Sequence, residues 1–289
     1  MTRGGFVVPA RARDDDGMTN ATLSNPRAER VKAVRALSTR AVRQRSGRFV
    51  VEGPQAVREA VLAADVHDVY VTLESAQRYP EIVVAAQDRD IAVHVGTAEV
   101  LDAMSPDGQQ VVAVASLVAH ALDELTSPRL VAVLVHVRDP GNAGTVVRAA
   151  DAAGADAVVL TSESVDVHNP KVVRATAGSL FHLPVVTGAD LATTVADLRS
   201  AGLLVLAADG TGTHDLDDLL DVAGAAPEGV PDLARPTAWL FGNEAWGLRD
   251  EDRVLADAVV RVPIRGRAES LNLATAATVC LYASARAHR

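Results

Sequence analysis

The sequence predicts an α/β protein of two domains, a small α/β sandwich followed by a larger domain built on a largely parallel sheet. Three observations carry this. Short apolar runs alternate along the chain with segments of helical period, the pattern of strands and helices in turn. The 289 residues are enough for two cores rather than one. Residues 119–128, which follow neither period, read as a linker between residues 21–118 and 129–289.

Residues 1–20 are polar, carry the run Asp14-Asp15-Asp16 and lack periodicity, so a disordered tail is expected. Over 25–48 the chain holds eight Arg or Lys against one Glu. Val31, Val34, Leu37 and Val42 mark a helical apolar stripe there, and the cations cover the other faces. A one-signed surface of this kind is the footprint of phosphate binding, with Arg43, Arg45 and Arg48 as the candidate contacts. Strands are expected at 49–52, 68–72, 92–95 and 111–116, and helices at 55–64, 80–89 and 98–104.

The second domain opens on a continuous apolar strand over 130–137, of the buried parallel kind. Pro140, Gly141 and Gly144 predict a tight turn before a helix over 145–153. Strands at 156–160, 182–186, 203–207, 237–241 and 258–263 alternate with helices at 172–177 and 191–200. The acidic run over 215–221 reads as a solvated helix face. The final helix carries almost no charge for three turns, and Ser270 is placed to cap it.

Composition excludes several classes. No apolar run is long enough to span a membrane, and no apolar signal core stands near the N-terminus. The single cysteine, Cys280, rules out an intrachain disulfide and fits a reducing cytoplasm. The eight histidines are scattered and none has metal-ligand spacing, so no metal is expected. A dinucleotide fingerprint, a phosphate loop and a G-x-S-x-G elbow are all absent. The net charge of −9 argues against nucleic acid when taken alone, but the charges are segregated along the chain.

Ligands of open parallel sheets bind beyond the carboxyl ends of the strands, which directs attention to three loops. Asn142 opens the first and Arg148 lies six residues on. Glu244 follows an apolar strand. Ser270 and Asn272 head the last helix. Brought together they form a cation, a carboxylate, a hydroxyl and two amides.

The three stretches 142–149 (N-x-G-x-x-x-R-x-A), 240–248 (L-F-G-N-E-x-W-G-L) and 262–272 (V-P-I-x-G-x-x-x-S-L-N), in this order, resemble the motifs of the SpoU (TrmH-like) RNA ribose 2'-O-methyltransferases. Residues 169–186 are similar to the same family, and residues 45–60 to its substrate-binding domain. The resemblance implies a trefoil knot in the second domain, with S-adenosylmethionine bent inside it and held by Ala207, Ala208, Gly242, Asn243, Val262, Ile264 and Leu271. It implies a homodimer formed through the C-terminal domain. Catalysis would fall to Arg148, stabilising the ribose alkoxide beside a phosphate, with Asn142, Glu244, Ser270 and Asn272 orienting it and the nucleotide. Structured RNA is the expected substrate, ribosomal rather than transfer RNA. The alternatives are a tRNA ribose methyltransferase or a non-catalytic RNA-binding protein that keeps the fold.

Overall fold

The computed structural model describes residues 22–289. The expected tail of residues 1–20 lies outside them.

Two short helices, α1 (Glu29–Ala36) and α2 (Arg40–Ser46), replace the single stripe expected there. They lead into β1 (Arg48–Glu52), α3 (Pro54–Ala63), β2 (Val66–Val71), α4 (Leu73–Arg78), α5 (Pro80–Asp88), β3 (Ala92–Val95), α6 (Ala98–Met104) and β4 (Val111–Ser116). The four strands pair in the order β1-β4-β2-β3, antiparallel except for β2 and β3. Both faces are covered, and strand alternation decides which residue goes where. Phe49 and Val51 lie with α3 and α5, whereas Val50 lies with Val31, Val34 and Leu37 of the first helix and its end.

The second sheet comprises β5 (Leu130–Leu134), β6 (Ala157–Thr161), β7 (Val185–Ala189), β8 (Leu204–Ala208), β9 (His214–Asp215), β10 (Thr237–Phe241) and β11 (Ala258–Arg261). Its order is β7-β6-β5-β10-β8-β11-β9, and every pair is parallel. The helices between these strands are α7 (Pro140–Ala152), α8 (Pro170–Thr176), α9 (Leu191–Ser200), α10 (Leu216–Asp221) and α11 (Asp250–Arg253), and α12 (Leu273–Ala287) ends the chain. Leu130, Ala132 and Leu134 pack with α7 and α12, and Val131 and Val133 with α9. The central strands of the sheet are therefore buried on both sides.

Three local expectations need correction. The strand from Leu130 stops at Leu134, because His136 turns into the left-handed region at φ 53° and breaks the ladder. α7 starts at Pro140, not at residue 145: Pro140 takes the first helical position, and the Asp139 carboxylate accepts from the Asn142 N–H at 2.7 Å. Gly144 is thus inside the helix, where a Cβ would come within 2.6 Å of Ala175 and the Val172 carbonyl of α8. The cap of α12 is Asn272, not Ser270; its Oδ1 accepts from the N–H groups of Ala274 at 2.9 Å and Thr275 at 3.4 Å.

The two sheets meet along a polar seam. Arg43, assigned to RNA from its charge, is only 2% exposed. Its guanidinium donates to Asp166 at 2.5 Å and to the carbonyls of Leu37 and Ser38 at 2.8 Å each. A buried arginine must find such partners, so this residue is a brace between the sheets and not part of the exposed basic face. Burial tends to raise the Asp166 carboxyl, yet the Arg43 hydrogen bond and charge hold it below the usual range. Nearby, Glu52 accepts from Arg174, and His182 bridges Asp151 at 2.8 Å and Glu59 at 3.2 Å.

His168 sits in this seam, edge-on to Phe49 with ring centroids 4.7 Å apart. Burial pushes it down to about 4 from 6.5; Asp166 opposes that shift, and Arg43 adds to it. The folded state therefore keeps the ring neutral in a range where the unfolded chain protonates it. Between pH 6.5 and about 4 the unfolded state binds the extra proton, so stability falls as the solution is acidified. The slope from this one group is at most about 1.4 kcal/mol per pH unit. His168→Phe, which keeps an aromatic ring against Phe49, is expected to flatten chemical-denaturation midpoints over that window. An unchanged pH profile in that variant would remove His168 as the cause.

Candidate active site

The C-terminal ends of β8, β10 and β11 and the start of α12 enclose a cavity of about 340 Å³. That falls in the roughly 300–1,000 Å³ range of small-molecule sites. One wall is apolar, from Phe241, Val262, Ile264, Leu271 and Leu273. Backbone-rich turns at Gly210, Gly242 and Gly247 form another, and the acidic residues Asp209, Glu244 and Glu269 complete the lining. An apolar slot ringed by acids suits a molecule that is part flat and apolar and part cationic.

Three chain segments are tied together at this end. The Asn243 N–H donates to the Gly247 carbonyl at 2.9 Å and the Gly247 N–H returns the bond at 2.8 Å, closing a tight loop. Asn243 Nδ2 donates to the His136 carbonyl at 2.7 Å, and its Oδ1 accepts from the Ala245 N–H at 2.8 Å. Glu244 accepts from the N–H groups of Asp139 at 3.0 Å and Arg138 at 3.4 Å, placing a negative charge at the start of α7. Asn272 Nδ2 donates to Asn142 Oδ1 at 3.0 Å, joining the first turns of α7 and α12. Ten residues further along each helix, Tyr282 Oη donates to the Ala152 carbonyl at 3.3 Å. The two helices therefore run side by side in the same direction.

Of the residues singled out for catalysis, Glu244 and Ser270 line the cavity, and Asn142 and Asn272 meet beside it. Arg148 does not line it. It stands on the exposed side of α7, without a hydrogen bond or ion pair among the described residues. Of the residues assigned to cofactor, Ala208, Gly242, Asn243, Val262, Ile264 and Leu271 all line the cavity. Ala207 does not: strand alternation turns its side chain to the opposite face, where it packs with Val205 and Leu240.

Asp209, Gly210 and Glu269 line the cavity but were not among the expected site residues. Asp209 is held by the Thr211 N–H at 2.9 Å and by Arg253 at 3.2 Å. Burial raises its carboxyl, and these partners bring it below the usual range. An acid and a glycine just after an apolar parallel strand were the available signal. Among the described residues no group of three or more His, Cys, Asp and Glu could hold a metal ion. Arg45 and Arg48 are exposed.

Residues 129–282 match the SpoU rRNA Methylase family, and residues 28–128 match the MRM3-like substrate binding domain. The chain is 34% identical over 283 residues to a 23S rRNA (uridine(2479)-2'-O)-methyltransferase from Streptomyces viridochromogenes, covering 92% of this chain and 91% of that one. It is 30% identical over 260 residues to a 23S rRNA (guanosine(2553)-2'-O)-methyltransferase from Bacillus subtilis (strain 168), covering 90% and 97%. The fold resembles that of an AdoMet-bound rRNA methyltransferase from Sinorhizobium meliloti, with a TM-score of 0.76, 28% identity, and 91% and 97% of the two chains covered.

Proposed function

Since the chain belongs to the SpoU rRNA methylase family and is an S-adenosylmethionine-dependent RNA ribose 2'-O-methyltransferase, we propose that it methylates ribosomal RNA, using the cavity at the ends of β8, β10 and β11 for the donor. The observation that carries this reading is the convergence of three remote segments at one cavity, sealed by the Asn142–Asn272 and Glu244–Asp139 hydrogen bonds.

S-adenosylmethionine supplies a methyl group on a sulfonium, already activated for transfer. The residues present fit it. The apolar wall would take the adenine, and Asp209, Glu244 and Glu269 would favour the positive charge of the sulfonium. In the transfer the ribose 2'-oxygen would form its O–CH3 bond as the S–CH3 bond breaks, the electron pair would stay on sulfur to give the neutral thioether S-adenosylhomocysteine, and the hydroxyl proton would leave to solvent. A ribose hydroxyl is a poor nucleophile at neutral pH, so a fixed cation near the oxygen lowers the barrier by stabilising charge as it develops. Arg148 serves that purpose and binds the adjacent phosphate in a fork that lysine would not reproduce. Asn142 and Asn272 hold the helix starts at the reaction centre. Glu244 fixes α7 through its backbone, and Ser270 offers its hydroxyl to the target nucleotide from the cavity lining. On this reading the C-terminal segment passes through a preceding loop to form the trefoil knot.

The reading also pairs two copies of the chain. Arg148 lies six residues past Asn142, roughly 9 Å along α7 at 1.5 Å per residue, and does not reach its own cavity lining. Beside it, α12 exposes Val279 at 39% and Tyr282 at 50%. Exposed apolar side chains on a nearly charge-free helix favour a symmetric interface, through which Arg148 of one copy reaches the cavity of the other.

Incubating the protein with an in vitro 23S rRNA transcript and labelled S-adenosylmethionine, then mapping 2'-O-methyl positions, tests the substrate. Absence of label on ribosomal RNA together with label on transfer RNA would transfer the assignment. Arg45→Ala and Arg48→Ala together are expected to weaken RNA binding and to lower its log–log salt slope by roughly 0.7–0.9 for each phosphate no longer neutralised. A filter-binding series in salt reads this, and an unchanged slope would make that surface an ordinary solvated face.

A further inference from the structure

We propose that Trp246 and Arg138 form a stacking platform at the mouth of the donor cavity, which holds an unpaired base of the RNA strand flanking the target ribose. The inference rests on the RNA-methylating reading above and adds a positioning element to it.

The chain has two tryptophans. Trp239 is fully buried and donates its Nε1–H to Ser284 at 2.9 Å. Trp246 is 46% exposed. It is carried on the tight loop closed by the mutual Asn243–Gly247 hydrogen bonds, with Gly247 at φ 69°. Glu244, Ala245 and Gly247 of that loop line the donor cavity, whereas Trp246 does not. The ring is thus held at the rim of the cavity on a rigid turn. It contributes nothing to a core that would explain so large an aromatic side chain.

What surrounds the ring points to a nucleic acid. The Arg138 guanidinium lies 5.4 Å from the indole centroid, within the roughly 6 Å reach of a cation–π contact. Arg138 is itself positioned, by its own N–H to Glu244 and by Glu163 at 3.6 Å. On another side the indole borders an open hollow shared with Leu248, Arg249, Asp250 and Arg253. Arg253 there is engaged by Asp209 and Asp250, while Arg249, among the described residues, pairs only with Glu251 at 3.5 Å. An exposed aromatic face with arginines around it is how proteins hold single-stranded bases without reading their edges, because every base offers a π-face. Stacking a flanking base here would fix the strand so that the ribose faces the cavity.

The test uses the full chain and an in vitro 23S rRNA transcript. Because Trp239 is sealed in the core, quenching of the tryptophan emission by the transcript reports on Trp246. Wild type should be quenched and Trp246→Phe should not be. Trp246→Ala should raise KM for the transcript roughly 5- to 160-fold with a much smaller change in kcat. It should leave the melting temperature and the affinity for S-adenosylmethionine near wild type, and Trp246→Phe should recover most of the KM loss. A Trp246→Ala protein with unchanged KM on a transcript that wild type methylates overturns this inference alone. So does an equal loss of S-adenosylmethionine affinity, which would make the ring a cover for the donor. A wild type that neither binds nor methylates the transcript overturns the substrate reading, and this inference with it.

Discussion

Arg148→Ala is expected to fold normally, to bind S-adenosylmethionine like the wild type, and to transfer methyl groups about 10²- to 10³-fold more slowly, the usual loss when one preorganised donor to a developing oxyanion is removed. The binding half of this expectation follows from position. Arg148 is on the outer side of α7, outside the lining of the donor cavity, and braces nothing among the described residues. The kinetic half follows from its freedom. It is a permanent cation without a carboxylate partner among the described residues, exposed on a helix whose start is joined to that of α12 by the Asn142–Asn272 bond. Calorimetry with the donor and single-turnover methylation separate the two. If the cavity takes its arginine from a second copy, mixing Arg148→Ala with a protein whose own cavity is blocked should restore part of the activity, since the hybrid pair holds one complete site. A full rate for Arg148→Ala would remove this residue from the mechanism, and failure to complement on mixing would place the arginine in the same chain as its cavity.

Gly242→Ala is the second large effect and supplies a blocked cavity for that mixture. A Cβ on Gly242 would come within 2.2 Å of the Gly247 carbonyl carbon and 2.3 Å of the Leu248 nitrogen. These are backbone atoms, so no side chain can rotate away. The loop 243–247 would have to move, and with it the Asn243–Gly247 pair and the Asn243 hydrogen bond to His136. The expected cost is about 3 kcal/mol, the upper part of the usual range for overpacking, which corresponds to roughly 6–12 °C in Tm for a chain of this size. Affinity for S-adenosylmethionine should fall steeply, because Gly242, Asn243, Glu244, Ala245 and Gly247 all line its cavity. Thermal denaturation and donor titration read both quantities. An unchanged Tm would show that the turn yields more readily than its packing implies.

The elements were legible where burial is complete and local. The strand at 237–241 and the helix at 191–200 coincide with Thr237–Phe241 and Leu191–Ser200, because a run of apolar residues between turn residues has few other uses. Gly242, Asn243, Val262, Ile264 and Leu271 lie in the motif stretches and do meet at one cavity, together with Ala208 at the end of β8. Ends were harder to read. Whether Ser270 or Asn272 caps α12, and whether α7 begins at Pro140 or at residue 145, depends on which side chain reaches which N–H, and neighbouring polar residues are close to equivalent in sequence.

Charge was the least legible property. Arg43 and Arg45 are two residues apart in one basic run, yet Arg43 is buried against Asp166 and Arg45 faces solvent. Sequence alone determined the two-domain α/β plan, the order of the strands' apolar runs and the residue types of the site, because periodicity and turn chemistry act over a few neighbouring residues. Only the tertiary structure decided which arginine braces the seam, that Asn142 and Asn272 share a hydrogen bond across 130 residues of chain, and that Asp209 and Glu269 join the cavity. A hydrogen bond or an ion pair depends on separation in space, and the folded path of the chain sets that distance.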